Sequence, residues 1–332
     1  MDARFNRRGH TKHFVKGQHL KLTDLKEKAQ HWNQYLFKEN IPPYPRPEFH
    51  VSHLRHDTDR SGIDGIATEK GFRAPDREEG PEDPEDPQTL DLVWWSLAVG
   101  PAEIDSAEKR LLEKKYPNRT KEQARGQEKF LGRFATSPAF LGTSRLGSYR
   151  FTFPLQELLE AYCKQFCSGS EPILRVYETV LYKQEVMHSV VVHSHFYNEL
   201  FQDYPLLTDS PDAVCAYKDG HFIWRPEAMC GTHSFQLVKK PYQNQMVAHL
   251  LSEPMHQFYV WDNVAVAFHL ADGQTLRFDM NHLRDYLNFC ERGYPTISPA
   301  GAFDSFQEAA EVVRHGWPHY HLPLFNYSTI EV

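Results

Sequence analysis

Cysteine is scarce in this 332-residue chain: five residues, Cys163, Cys167, Cys215, Cys230 and Cys290, odd in number and without regular spacing. That excludes a disulfide-stapled secreted scaffold and predicts a reducing intracellular compartment. Long apolar runs are missing as well. None approaches the ~20 residues of a membrane-spanning helix, and no apolar run opens the chain, so the sequence predicts a soluble cytoplasmic protein without membrane partners, the nucleus being the alternative compartment. Positive charge is in deficit, with 37 Lys and Arg against 44 Asp and Glu and a net charge of -7. This argues against nonspecific nucleic-acid binding by the whole chain. A metal-ligating set is lacking too. Cys163 and Cys167 share a helical face and His315, His319 and His321 cluster late in the chain, but no second pair at zinc-ligand spacing completes either group. Asn118-Arg119-Thr120 and Asn326-Tyr327-Ser328 match the glycosylation sequon and, without a signal peptide, read as coincidental.

What is present is a folding composition, 40% hydrophobic and 13% aromatic, which favours a packed core. Residues 1–21 are basic and read as a solvated, poorly ordered arm, the one place where nucleic acid would find positive charge. Thr23 predicts the cap of an amphipathic helix with Leu25, Ala29, Trp32 and Leu36 in a stripe. The proline-rich run from Ile41 to Pro47 reads as an extended connector. Residues 76–89, rich in acids and proline, read as a solvated loop. Buried structure resumes over Leu90 to Leu97, and Pro101 then opens a helix with Ile104, Ala107, Leu111 and Leu112 inward.

Further along, Tyr149 to Phe153 predicts a strand and Leu155, Leu158, Leu159 and Tyr162 a strongly amphipathic helix. Ile173 to Tyr182, Val186 to His193 and Asp212 to Tyr217 read as strands, and Lys218 to His221 as a hairpin turn into Phe222-Ile223-Trp224. Beyond Gln245 three more strands and two helices are expected, Asn281 to Cys290 and Asp304 to Arg314, the second capped by Asp304 with Gln307.

The organising stretch is Phe49 to Pro75. Phe49, Val51, His53 and Arg55 alternate as in a strand that ends at His56-Asp57-Thr58. A short helix follows, with Ser61 as N-cap, Asp64 at the capping-box position, Ile63, Ile66 and Ala67 as its apolar stripe, and Gly71 as the positive-φ terminator. On local pattern alone, the strand either presents His and Thr to a ligand or is simply polar on one face.

His56-Asp57-Thr58, the Ile63/Ile66 spacing and Gly71-Phe72-Arg73-Ala74-Pro75 resemble the opening of the poly(ADP-ribose) polymerase-like, diphtheria-toxin-type ADP-ribosyltransferase domain over about twenty residues. Gly132 to Ser137 with Ser148-Tyr149 is similar to that family's Tyr-Phe-Ala and Ser-x-x-Tyr segments, and Asp212 to Tyr217 to its strand bearing the catalytic glutamate. Three positions depart from the family: Asp57 stands where a glycine lets the backbone approach nicotinamide, Arg133 where the first tyrosine would be, and Asp212 where the catalytic glutamate would be. In overall texture the chain is also similar to virus-induced fish proteins with a degenerate domain of this kind.

The resemblance implies an α+β fold with a split antiparallel β core of ADP-ribosyltransferase type, helical insertions and a C-terminal α+β extension. It divides the chain into a basic arm and helix (1–47), a transferase-like domain (48–243) with the acidic loop 76–89 and a helical insertion 90–130, and an extension or small domain (244–332). It implies NAD as substrate, His56 on a ribose hydroxyl, Thr58 or Ser148 on the nicotinamide amide, Tyr149 stacked on the ring, and Asp57 beside it. Asp212 would be the acid, with Glu185 the alternative. A fixed carboxylate is wanted there because breaking the nicotinamide–ribose bond develops positive charge on the sugar. Two readings follow. One is mono-ADP-ribosyl transfer from NAD to an unidentified protein target; the other is a catalytically inactive binding or regulatory module, in an innate-immune setting if the fish resemblance holds. An unrelated α+β interaction protein stands as the third.

Overall fold

The structure, a computed structural model, describes residues 1–5, 10–29, 33–37, 44–74, 90–230, 233–255, 260–294 and 296–317. The acidic loop 76–89 lies outside them, as do Trp32, His319 and His321. Two strands, β1 (Asp2–Phe5) and β2 (Thr11–Lys16), precede helix α1 (Leu22–Ala29). β3 (Phe49–Val51) and β4 (His53–Thr58) lead into α2 (Arg60–Glu69), β5 (Gly71–Arg73) and β6 (Leu92–Ala98). Helices α3 (Pro101–Lys115) and α4 (Lys121–Arg125) follow, then β7 (Tyr149–Pro154), α5 (Leu155–Phe166), β8 (Ile173–Tyr182), β9 (Glu185–His193) and α6 (Asn198–Phe201). Two hairpins come next, β10 (Cys215–Lys218) with β11 (His221–Trp224) and β12 (His233–Lys240) with β13 (Gln245–Met255). The chain then runs through β14 (Trp261–His269), β15 (Thr275–Arg277), α7 (Met280–Asp285), β16 (Leu287–Phe289) and α8 (Phe306–Gly316).

The architecture is mixed α+β, dominated by one large sheet. Its nine strands run β1-β2-β8-β9-β14-β6-β4-β7-β16, antiparallel throughout except where β14 lies parallel to β9. Register sorts the side chains of this sheet. Leu54 faces Phe153, His56 faces Phe151 and Thr58 faces Tyr149 across the β4–β7 pair, so these six share one face. Phe72, from β5, sits over that face with Trp95, Phe151 and His56, its ring centroid 4.8, 5.3 and 5.2 Å from theirs. The opposite face is polar along one row of paired residues and apolar around Val191 and Ala267. Arg55 lines up with Ser96, Ser96 with Ala265 and Ala265 with Ser189, and beyond them stands the buried Glu178. The 138–147 segment lies over Arg55 and Arg150 and supplies the carbonyls they need. Arg55 donates to Leu141 O at 2.9 Å, and Arg150 to Gly142 O at 2.9 Å and Thr143 O at 3.1 Å.

Several local expectations need correction. The 1–21 arm is not loose where it is described: β2 pairs with β8, Phe14 is buried, and Arg4 bridges to Glu178. Alternating Lys12-His13-Phe14-Val15 made a strand that the basic composition disguised. Thr23 lies inside α1, which starts at Leu22. Asp59, not Ser61, caps α2, because its carboxylate reaches Gly62 N at 3.1 Å while Ser61 donates to that same carboxylate. Lys70 takes the positive φ of 55° at the helix end. Gly71 serves close approach instead, since a Cβ there would lie 2.3 Å from Leu276 O in the neighbouring β15. The helix expected over 281–290 stops at Asp285 and gives way to β16 on the edge of the large sheet. At α8 the capping box is Ser305 with Glu308, one position beyond the expected pair. That shift releases Asp304 for the contacts described next.

Candidate functional site

Four of the residues singled out by the resemblance meet at the end of β4. Thr58 pairs directly with Tyr149, Ser148 precedes it, and His56 points to the same face. The junction is tight, because a Cβ on Gly147 would sit 2.1 Å from Thr58 O. Backbone cannot yield as a flexible side chain does. Gly147→Ala is therefore expected to destabilise the fold by about 1–3 kcal/mol, measurable as a shifted urea midpoint with unchanged slope. An unshifted midpoint would mean the 147–149 segment is free to move away from β4.

The polar atoms at this junction are already engaged by the chain itself. Tyr149 is fully buried and its hydroxyl donates to Asp304 Oδ2 at 2.6 Å. Ser148 Oγ accepts from Asp304 N at 2.8 Å and donates to Asp304 O at 3.2 Å. Arg60, from the first turn of α2, completes the set with a bond to Asp304 Oδ1 at 2.7 Å. Burial and the adjacent Asp304 carboxylate both hold the Tyr149 phenol above its ordinary value. His56 Nδ1 lies 2.9 Å from Trp94 O, and burial among aromatic rings lowers its pKa, the Trp94 carbonyl and Asp57 partly offsetting that.

Asp57 points to the other face of the sheet. Its two carboxylate oxygens accept from Arg150 Nε and Nη2 at 2.7 and 2.8 Å, and both side chains are at most 9% exposed. Burial opposes ionisation of Asp57, but the Arg150 guanidinium outweighs it and leaves the carboxyl below its usual range. Glu185 opens β9 with β14 and β6 between it and β4. Four residues before Ser189, it belongs to the face of Arg55 and Asp57, and it bonds Arg145 at 3.1 Å and Asn263 at 3.2 Å. The sheet thus stands between Glu185 and the His56 side chain. Asp212 is not on a strand. It lies in the turn before β10, 92% exposed, with Lys21 Nζ at 3.0 Å. It lines a cleft of about 820 Å³ together with Gly17, His19, Asp24 and Cys215. The structure therefore gathers His56, Thr58, Ser148 and Tyr149, and leaves Asp57, Glu185 and Asp212 elsewhere.

Sequence reading missed a buried titratable group behind that cleft. His188, on β9, is 1% exposed and its Nε2 lies 4.0 Å from Asp262 Oδ1 on β14. His19 packs edge-on against His188 at 5.3 Å and contacts Ser189 O through Nε2 at 2.8 Å. Thr179 Oγ1 accepts from Leu20 N, donates to Gln18 O and lies 3.4 Å from His188 Nδ1. Because that hydroxyl proton is used on Gln18, His188 Nδ1 carries the proton facing Thr179 and Nε2 is left as an acceptor toward Asp262. Burial pushes Asp262 up to about 7, with the neighbouring Glu227 adding to it. Burial also lowers both imidazoles, His19 to about 4. The signal available in the sequence was a histidine interrupting the apolar run of β9 and an aspartate beside Trp261.

Among the described residues no group of three or more His, Cys, Asp and Glu could hold a metal ion, and no helix is long and apolar enough to cross a membrane. Comparison of the chain with protein-family models, with curated proteins and with solved structures gave no match.

Proposed function

We propose that this chain is a non-catalytic binding or regulatory module, built on an ADP-ribosyltransferase-like split β core in which the nicotinamide position is closed by the protein itself. The observation that carries the reading is Asp304. The serine and tyrosine that resemblance assigns to the nicotinamide amide and ring are both bonded to it, and the Tyr149 ring is fully buried, with no face left for stacking. The residues present do not fit NAD. Nor does either carboxylate stand ready: Glu185 is neutralised by Arg145 on the other face, and Asp212 is in water. A carboxylate misplaced by about an ångström already costs roughly a hundredfold in rate, and these are separated from His56 by far more structure than that.

One observation favours the alternative, NAD-dependent mono-ADP-ribosyl transfer to a protein target: His56, Thr58, Ser148 and Tyr149 do come together. That activity would require Asp304 and the start of α8 to withdraw. The test is incubation of purified protein with labelled NAD, following nicotinamide release, label transfer and thermal unfolding. The module reading expects no turnover and no shift in midpoint with NAD. Turnover abolished by His56→Ala would overturn it.

A further inference from the structure

We propose that the surface formed by the end of α3, the start of α4 and the tip of the β12–β13 hairpin binds single-stranded nucleic acid, its lysines tracking phosphates and Tyr242 stacking on a base. The surface is a built junction. Tyr116 donates to Gln245 O at 3.2 Å, Asn244 to Gln123 Oε1 at 3.3 Å, and the Gln127 amide donates to Met246 O at 2.7 Å while accepting from Met246 N at 3.3 Å. Those bonds fix the hairpin tip against α3 and α4. They bring together cations that are far apart in the chain: exposed Lys114 and Lys115 at the end of α3, Lys121 opening α4, and Lys239 and Lys240 ending β12.

Lys239 shares its strand face with the buried Leu237 and stands beside Lys115. The two ammonium groups meet closely enough for Lys115 to hold the Lys239 amine below the ordinary lysine value, burial adding little. Like charges held together are destabilising in the free protein and are relieved by a shared anion. Glu113 is the acid in the last turn of α3 and Glu122 the acid of α4. Glu122 is folded onto the backbone and Thr120 at the start of α4, which occupies its carboxylate.

Tyr242, at the turn, is 99% exposed. A fully exposed ring flanked by lysines is the arrangement that stacks an unpaired base over a neutralised backbone. An anionic membrane fits less well, because Lys239-Lys240-Pro241-Tyr242-Gln243-Asn244-Gln245 offers one ring and otherwise amides, with no apolar set to enter lipid. The whole-chain charge of -7 hides the patch because acids dominate elsewhere.

The experiment is fluorescence anisotropy with labelled oligo-U RNA and oligo-dT DNA of about 20 nucleotides, from about 50 to about 200 mM salt. Binding of either should weaken linearly in log–log terms with salt. Lys115→Gln/Lys239→Gln should lower affinity roughly tenfold at low salt and reduce the slope by about 1–2. Tyr242→Ala should weaken binding about tenfold at an unchanged slope. Lys164→Gln, on α5, should bind as wild type; Lys164→Gln and Tyr242→Ala should unfold at the wild-type midpoint, and the double lysine variant at or above it, its like-charge pair being gone. No binding, or lysine variants indistinguishable from wild type, would overturn the proposal. So would a blunt duplex or phosphatidylserine vesicles bound as tightly as the single strands with Tyr242→Ala making no difference.

Discussion

Asp57→Ala is expected to remove about 3–5 kcal/mol of folding stability, read as a fall in urea midpoint. The reason is the partner left behind. Arg150 is 8% exposed and held by three backbone carbonyls in addition to Asp57, so it cannot swing into water when the carboxylate is deleted. An unpaired buried guanidinium then carries its full desolvation cost. Asp57→Ala/Arg150→Met should recover most of the loss, since replacing a whole buried pair with apolar groups is often close to neutral. A single-variant loss under about 1 kcal/mol would show that the pair behaves as a surface bridge. The sign with pH follows. The folded pKa of Asp57 lies below its unfolded value, so its stabilisation is complete above about pH 4 and is lost as pH falls through the folded value. The same reasoning bears on function, because Asp57→Gly, which would place a glycine where the resembled family has one, would orphan Arg150 before it opened any ligand site.

Much of the framework was legible in the sequence. Alternation marked β4, the aromatic run Tyr149 to Phe153 marked β7, β-branched and aromatic content marked β8 and β9, and the Leu155/Leu158/Leu159/Tyr162 stripe marked α5. Where charge interrupts the apolar pattern the signal failed. β2 carries its lysines among Phe14 and Val15, which gives it the composition of a solvated arm. β16 carries Leu287 and is followed by Cys290, a spacing that also suits a helix after Leu283. The site was only half readable. The meeting of Thr58, Ser148 and Tyr149 depends on neighbouring strand segments and short motifs, and these were visible. Asp304 lies 155 residues from Tyr149, and nothing local announces that its carboxylate will accept that phenol. Its apparent role was as the helix cap, which Ser305 performs. Asp212 matched a strand pattern by residue type, but Pro211 and the turn before β10 put it in water. The five lysines of the α3–hairpin surface come from three separate segments, so only the fold adds them together.

The buried histidine–aspartate group should dominate the neutral-pH dependence of stability. Asp262 titrates near 3.8 when unfolded and at about 7 when folded. Between those values the folded state binds the extra proton, so stability falls as pH rises, by on the order of 4 kcal/mol across the window. His19 runs the other way: its folded value of about 4 lies below the ordinary 6.5, so the unfolded state binds the proton and stability rises with pH over that interval. His188 is shifted in the same direction, and Glu227 and Cys215 are the other titratable groups against Asp262. The opposing slopes flatten the wild-type profile below pH 6.5, leaving Asp262 alone to fall toward 7. Asp262→Asn keeps the acceptor for Glu227 N, bonded at 2.6 Å, and turns an amide toward His188 Nε2 without a charge to bury. The variant should therefore match wild type near pH 4 and exceed it by about 2–4 kcal/mol at pH 8, in urea titrations run at both values. Equal differences at the two pH values would mean that Asp262 is already ionised in the neutral protein, and that the His188 side supplies a cation or a water path to stabilise it.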